Sequence, residues 1–443
     1  MQAQKPTTTN WLRRLLTGGM TAALLVAVLG FATAALAGNE NDPKFTDGQL
    51  KKRLKTELRE QGLEPKGVSS CRPKRGKKVM LCKWRAEGQY PGEVAYECVG
   101  KARFTVKSKT WSIDPCNNIH EPMIPLRPDL GPHPMFGYND DWLNQLGRID
   151  LLAGSGADVA RTGLYWDSVQ PAPNVYTWGH FDVLYQAMLE RGIHPLFKLE
   201  AAPCWAQAGT CQQGSHPSAD HFDEFAQFAA QAAQRYPQAA GLEIWNEPNY
   251  GIYWGGTPDP QAYGDMLGQA ATAIHAAAPG MTVVSAGLSP HINNVSDAMA
   301  YEGFLRQAYQ TGGPQLADAI GTHPYPNRQY SEDYLGNIRV NLYRYLEVMT
   351  EFGDAAKPMW VTDTGVSNNG DESFDLDQQA DALAKMYDLF RRIDHEIPVV
   401  IYHRFIDQPG SPRPKEQGYG VVNGNGTPKP AYCAVAAQRE KPC

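Results

Sequence analysis

Eight short apolar stretches, each followed by a segment with helical periodicity, occupy the chain from residue 135 onward. Apolar runs rich in β-branched and aromatic residues predict buried strands, and apolar residues three and four positions apart predict amphipathic helices. Eight such units in about 300 residues predict a TIM (β/α)8 barrel over residues 135–443, an α/β fold. A doubly wound sheet is a weaker alternative, because no Gly-rich phosphate loop follows the first strand. The strands are predicted at 135–138, 159–165, 194–199, 242–246, 282–286, 319–323, 359–362 and 399–402.

The segment before the barrel has a different pattern. Leu50, Leu54 and Leu58 form one apolar helical stripe, and several candidate strands follow it. Residues 38–118 are therefore predicted to form a small α+β domain, which we interpret as a binding or spacer module. Residues 119–134 are predicted to be a linker, because their prolines stiffen the chain and cannot donate to a β-ladder.

The N-terminus has the pattern of an export signal. Arg13 and Arg14 precede an apolar run at 20–36, which ends in the small residues of 34–37. This order predicts a signal peptide over residues 1–37, cleaved after Ala37. The mature protein is then expected to be secreted, periplasmic or associated with the cell envelope, without a membrane segment. An uncleaved anchor is the alternative, because the run is close to the length that spans a bilayer.

The eight cysteines fall into four local couples beyond the signal, and export permits disulfides. Although eight cysteines allow 105 pairings, the first two couples are symmetric about predicted turns, where residues face each other across a hairpin. The expected disulfides are Cys71–Cys82, Cys98–Cys116, Cys204–Cys211 and Cys433–Cys443. No C-x-x-C spacing occurs, so no metal site is predicted, and without a phosphate loop no cofactor is predicted either.

Composition excludes some partners. The chain has 42% hydrophobic and 20% charged residues, as in ordinary globular proteins, and its net charge of −6 argues against nucleic-acid binding. We take a monomer as the expectation.

Polar and aromatic residues gather at the carboxyl ends of the predicted barrel strands, which converge on one mouth. Sugars stack on aromatic rings and form hydrogen bonds with polar groups, and two carboxylates on opposite sides of a mouth can flank a glycosidic bond. The predicted catalytic pair is Glu247 and Asp363. The predicted substrate-binding residues are Arg161, Asn246, His323, Tyr325, Trp166, Trp205, Trp254 and His403.

Four motifs carry a family resemblance. They are A-R-T-G-L-Y-W at 160–166, I-W-N-E-P-N at 244–249, G-T-H-P-Y at 321–325 and K-P-A-Y at 429–432. In this order they resemble the retaining (β/α)8-barrel glycoside hydrolases, a clan that includes family five cellulases and family thirty-nine xylosidases. The resemblance implies that Glu247 is the general acid/base and that Asn246 contacts the sugar 2-hydroxyl. It also implies that Arg161 orients the seventh-strand carboxylate and that His323 and Tyr325 line the −1 subsite.

The chain departs from that family at Asp363, where the family has a glutamate nucleophile. The shorter side chain could retain the mechanism through a shifted backbone, change it to inversion, or abolish activity. The expected function is an exported hydrolase of poly- or oligosaccharides that uses Glu247 and Asp363. The alternatives are an inactive carbohydrate-binding barrel, a cell-envelope interaction protein, or a hydrolase with another nucleophile, for which Glu200 is the nearest candidate.

Overall fold

A computed structural model describes residues 47–60, 63–68, 71–73, 79–88, 96–105, 110–113, 118–119, 123–140, 146–291, 294–326, 334–370 and 373–440. The predicted signal peptide lies outside these residues. The chain divides into two compact units, one with Met1–Glu87 and Val99–Cys116, the other with Gly88–Cys98 and Asn117–Cys443. In the described part, no helix is long and apolar enough to cross a membrane.

The N-terminal unit is a helix followed by a sheet. In helix α1 (Asp47–Glu60), Leu50, Leu54 and Leu58 are fully buried, which confirms the predicted apolar stripe. The sheet has the order β1-β3-β4-β5, and β2 pairs antiparallel with β3. The strands are β1 (Leu63–Val68), β2 (Arg72–Pro73), β3 (Val79–Gly88), β4 (Tyr96–Thr105) and β5 (Thr110–Ile113).

The second unit is the predicted parallel barrel. After the short strand β6 (Asn118–Ile119), its eight strands lie in the order β11-β10-β9-β8-β7-β14-β13-β12. The circle closes between β11 and β12, where Val284 forms a parallel bridge with Ala319. The barrel strands are β7 (Met135–Asn139), β8 (Val159–Tyr165), β9 (His194–Glu200), β10 (Gly241–Ile244), β11 (Val283–Ser285), β12 (Ile320–Thr322), β13 (Met359–Thr364) and β14 (Val399–His403).

Helices surround the strands and bury their apolar faces against the outer side of the barrel. Apart from three 3-10 turns, they are α2 (Leu146–Gly154), α3 (Trp166–Val169), α4 (Gly179–Leu189), α5 (Phe222–Arg235), α6 (Gly251–Trp254), α7 (Pro260–Ala277), α8 (Tyr301–Tyr309), α9 (Gly313–Leu316), α10 (Tyr334–Glu351), α11 (Leu376–Arg392) and α12 (Pro430–Gln438).

The barrel interior changes from apolar to polar along the strands. A separate buried cluster, which includes Val159, Leu196 and Trp360, fills the interior at one level. Because strand side chains alternate between the two faces, Arg161 and Lys198, two residues further on, face the same interior. The apolar layer is therefore a floor, and the polar residues above it point toward the carboxyl-terminal mouth.

Two of the predicted disulfides are confirmed. The antiparallel pairing of β2 with β3 places Cys71 and Cys82 opposite each other, and they are bonded. Cys204 and Cys211 close the loop that follows β9. The other two pairs include Cys116 and Cys443, which lie outside the described residues, so these pairs stay predictions.

The proline-rich segment is attached to the barrel where the structure describes it. Ile124 is fully buried, and its backbone N–H donates to the carbonyl of Arg339 on α10. Leu126 forms an antiparallel bridge with Ile393, which follows α11. From residue 124 onward the segment therefore covers the barrel rather than leading freely to it.

Close contact between β7 and β8 requires a glycine. A Cβ atom on Gly137 would lie 1.7 Å from the backbone oxygen of Val159. We expect Gly137→Ala to force the two strands apart and to lower the free energy of unfolding by about 3 kcal/mol. The matched control is Gly147→Ala in α2, where no atom lies within 4 Å of the new Cβ. A helical alanine should raise stability by about 0.5–1 kcal/mol. Urea unfolding of both variants checks this, and equal stabilities would contradict it.

Candidate active site

The chain leaves β10 through a strained turn that exposes Glu247. Trp245 and Glu247 both have positive φ angles, 77° and 43°, which non-glycine residues rarely adopt. The indole of Trp245 is buried in the outer core and donates to the carbonyl of Tyr253, and the backbone N–H of Glu247 donates to Gly287. Each such residue costs about 1–3 kcal/mol, and strain of this kind concentrates at functional sites. Here it turns Trp245 into the core and Glu247 into the mouth.

Arg161 is the hub of a buried charge network. Its Nε donates to Glu243 over 2.6 Å, and its Nη2 donates to the Asn246 side chain over 2.8 Å. Its Nη1 lies 3.5 Å from a carboxylate oxygen of Asp363. Arg161 and Glu243 have no exposed surface. One guanidinium therefore fixes side chains from β10, the turn after it and β13.

Glu247 is coupled to His323. Its Oε1 lies 2.8 Å from His323 Nδ1. The bond can form in two ways, because an imidazole N–H can donate to a carboxylate, or a protonated carboxyl can donate to a bare ring nitrogen. A Cβ atom on Gly287 would lie about 2 Å from the His323 ring. The absence of a side chain there leaves room for the buried imidazole.

A β-bulge directs Asp363 to the mouth. Strict alternation from Trp360, which faces the interior, would turn Asp363 toward the surrounding helices. Instead the register shifts between Val361 and Thr364, which span three steps on β13 against two on β14. An extra residue of this kind re-aims the side chains that follow it. The strand also continues beyond its predicted end at 362, so Asp363 lies within β13.

Three side chains surround the Asp363 carboxylate. The Asn139 amide donates to it over 3.2 Å, Arg161 lies at 3.5 Å, and His403 Nδ1 lies 3.5 Å from its other oxygen. Burial alone would raise the pKa of Asp363, but His403, Arg161 and His323 outweigh it and lower the pKa below the ordinary 3.8. Asp363 is therefore a charged carboxylate at neutral pH.

His403 lies between two carboxylates. Its Nδ1 faces Asp363, and its Nε2 lies 2.9 Å from Glu416, which is on the loop after β14. Burial would lower the pKa of His403, but Asp363 and Glu416 outweigh it and raise the pKa above the ordinary 6.5. Burial would raise the pKa of Glu416, but the hydrogen bond with His403 lowers it. The arrangement favours an imidazolium between two carboxylates.

Two tyrosines lie in the electric field of both predicted catalytic carboxylates. Burial raises the pKa of Tyr325 well above its ordinary value, and both Asp363 and Glu247 raise it further. Burial likewise raises the pKa of Tyr419, with Glu416, Asp363 and Glu247 adding to the effect. The charges of Glu247 and Asp363 therefore both raise the pKa of each phenol, as expected for two carboxylates that face one space.

Most of the sequence-predicted residues come together here. Those that the contacts above place at the mouth are Arg161, Asn246, Glu247, His323, Tyr325, Asp363 and His403.

The predicted aromatic subsites need correction. Trp166 and Trp254 have no exposed surface. The Trp166 indole donates to the Gln170 side chain, and Trp254 stacks on His216 with 4.1 Å between ring centroids. Both pack in the core and cannot contact a substrate in this arrangement. Trp205 is half-buried, and its indole donates to the carbonyl of Gln170.

Sequence reasoning missed Asn139, Glu243 and Glu416. Asn139 and Glu243 had a usable signal, because Asn139 directly follows the strand predicted at 135–138 and Glu243 lies within the one predicted at 242–246, both at positions that face the barrel interior. Glu416 had none, since it lies in an ordinary polar loop. The alternative nucleophile Glu200 forms an ion pair with Lys198 over 2.9 Å. Among the described residues, no group of three or more His, Cys, Asp or Glu could hold a metal ion.

The chain matches no protein-family model and no curated protein by sequence. Its fold is similar to solved structures of glycoside hydrolases. A family 39 glycoside hydrolase from Bacteroides cellulosilyticus WH2 is 20% identical with a TM-score of 0.54, covering 84% of this chain and 79% of that one. A monomeric β-xylosidase from Caulobacter crescentus CB15 is 21% identical with a TM-score of 0.53, covering 71% of each chain. A GH5_18 structure from Streptomyces cattleya, in complex with GlcNAc, is 16% identical with a TM-score of 0.55, covering 71% of this chain and 83% of that one. The chain therefore has the barrel fold of these proteins.

The Arg161 network is expected to be essential for stability. Arg161→Met leaves the buried Glu243 charge without its guanidinium, so the free energy of unfolding should fall by about 3–5 kcal/mol. The matched control is Arg191→Met, since Arg191 Nε also donates to a carboxylate, that of Asp150, but near the surface. The free energy of unfolding of this control variant should fall much less. Urea unfolding measures both, and similar losses would show that burial of the Arg161 network is unimportant.

Proposed function

We propose that the protein is a glycoside hydrolase that cleaves O-glycosidic bonds of a poly- or oligosaccharide. The observation that carries this proposal is the pairing of two different carboxylates at one barrel mouth. Glu247 lies within hydrogen-bond distance of His323, and Asp363 is held ionised by Arg161 and His403. An acid and a charged carboxylate on opposite sides of a sugar are what glycoside hydrolysis requires.

In this mechanism Glu247 protonates the glycosidic oxygen as the bond breaks, and Asp363 attacks the anomeric carbon. Water, activated by Glu247, then releases the sugar. The side chain of Asp363 is one methylene shorter than glutamate, and the bulge in β13 supports the same role by turning it into the mouth. In the proposed mechanism Asn246, which accepts a hydrogen bond from Arg161, contacts the sugar 2-hydroxyl, and Tyr325 lines the −1 subsite. Among the aromatic residues, the half-buried Trp205 remains a candidate contact for an outer sugar.

We further propose that the protein is exported and acts outside the cytoplasm. The order of arginines, apolar run and small residues at 13–37 supports export, and the disulfides Cys71–Cys82 and Cys204–Cys211 suit an oxidising compartment.

Glu247→Gln tests the acid. On an unactivated glycan this variant should lose at least about 100-fold in kcat, because the leaving oxygen can no longer be protonated. An aryl glycoside with a leaving group that needs no proton should be cleaved with a much smaller loss in the first step. Glu190→Gln, on the surface, is the control and should leave both rates unchanged. Full activity of Glu247→Gln on glycans would exclude Glu247 as the acid.

Asp363→Asn tests the charged carboxylate and the stereochemistry. The neutral amide cannot attack the anomeric carbon, so turnover should be lost. For the wild type, NMR of the first-formed product should show retained anomeric configuration, and an inverted product would make Asp363 a base instead.

Because the pKa of Asp363 is lowered, the acidic limb of kcat/KM should lie below pH 3.8. Binding of a glycan without cleavage across a broad panel would favour a carbohydrate-binding protein.

A further inference from the structure

The Asp363 carboxylate has a neighbour that its role as a nucleophile does not require. His403, at the end of the adjacent strand β14, lies with Nδ1 3.5 Å from Asp363 and 3.4 Å from the Asn139 amide. Its ring packs edge-on against Tyr419, with 5.0 Å between the ring centroids. The imidazole is therefore fixed beside the carboxylate that the proposed mechanism uses.

His403 is held there by Glu416. Glu416 is in the 3-10 turn Pro414–Gln417 and accepts from His403 Nε2 over 2.9 Å. The loop around it is tied to its surroundings, because the Ser367 hydroxyl donates to the carbonyl of Lys415 and the buried Gln379 amide donates to the carbonyl of Gly418. Glu416 thus reaches the imidazole from a braced loop rather than from a free one.

The charges that face His403 favour its protonated form. Asp363 and Glu416 are the carboxylates at its two nitrogens, and Arg404 opposes them while lying 3.7 Å from Glu416. Tyr325 and Tyr419 complete the titratable surroundings, and burial raises the pKa of both phenols, so they stay neutral. Asp363, although it also faces Arg161, and Glu416 together outweigh Arg404 and the burial of the ring, so they raise the pKa of His403.

We propose that Glu416 is a positioning residue which, through His403, keeps an imidazolium against Asp363 and so holds this shortened carboxylate ionised and aimed into the mouth. The inference rests on the proposed function of Asp363. It assigns a role to a loop carboxylate that the proposed mechanism leaves out.

Loss of the Glu416 charge has a defined consequence for both neighbours. Without it, His403 releases its proton at lower pH, and Asp363 then loses one of the cations that oppose its protonation. The acidic limb of the pH profile should therefore move upward, toward neutral pH. A merely structural role for Glu416 would lower the rate without this movement.

A double-mutant cycle tests whether Glu416 acts through His403. Glu416→Gln and His403→Gln should each lower kcat about 10- to 100-fold at pH 7, with little change in KM, because the nucleophile is misplaced or protonated. The double variant should be no slower than His403→Gln alone, since the two residues work as one unit. Glu190→Gln is the surface control. If the fold-losses in kcat of the two single variants multiplied in the double variant, the inference would be overturned.

NMR titration of the histidine rings tests the same link without turnover. The signal of His403, assigned by its absence in His403→Gln, should titrate at lower pH in Glu416→Gln than in the wild type. An unchanged titration would overturn the inference even if glycans are cleaved. If Glu247→Gln keeps full activity but the His403 titration moves as expected, the assignment of the acid fails while the link between Glu416 and His403 stands.

Discussion

The buried guanidinium of Arg161 is the constraint on which the mouth depends. A charge without exposed surface is tolerated only with well-placed partners, and Arg161 takes them from Glu243, Asn246 and Asp363. These partners lie on or next to β10 and β13, which are not neighbours in the barrel. Their positions are therefore linked through the interior rather than through the β-ladder. The charge needed to hold Asp363 ionised is the same charge that fixes the geometry of the site.

Regular barrel geometry alone would not assemble this site. Alternation along the strands carries Arg161, Glu243 and His403 into the interior. The two proposed catalytic carboxylates depend on departures from this alternation. Positive φ angles after β10 turn the Glu247 side chain into the mouth, and a bulge in β13 does the same for Asp363. Backbone strain of this kind persists only where surrounding contacts hold it. These contacts are the packing of the buried Trp245 indole and the hydrogen bond and ion pairs of Asp363. The packed core therefore holds the irregular backbone at the mouth.

The sequence predicted the barrel and the central polar residues because both follow from periodicity. Every predicted barrel strand is present, and the predicted residues Arg161, Glu247 and Asp363 lie at one mouth. Trp166 and Trp254 were misassigned because a tryptophan after a strand can turn either to the mouth or to the core, and the choice depends on backbone angles that the residue types do not encode. The sequence could not predict Glu416 for another reason. Its proposed role depends on how the loop after β14 folds back over that strand.

As the proposed nucleophile, an aspartate makes different demands on its surroundings than a glutamate would. Aspartate has fewer rotatable bonds than glutamate, so it loses less side-chain freedom when fixed, but it also has less reach. Its position is then set mainly by the backbone, which makes the bulge in β13 part of the chemistry. A buried charge also needs well-placed partners to compensate for lost hydration. Arg161 on one side and His403 on the other are these partners, and the imidazolium in turn requires Glu416. In the proposed mechanism, the loop carboxylate therefore supports a short nucleophile through His403.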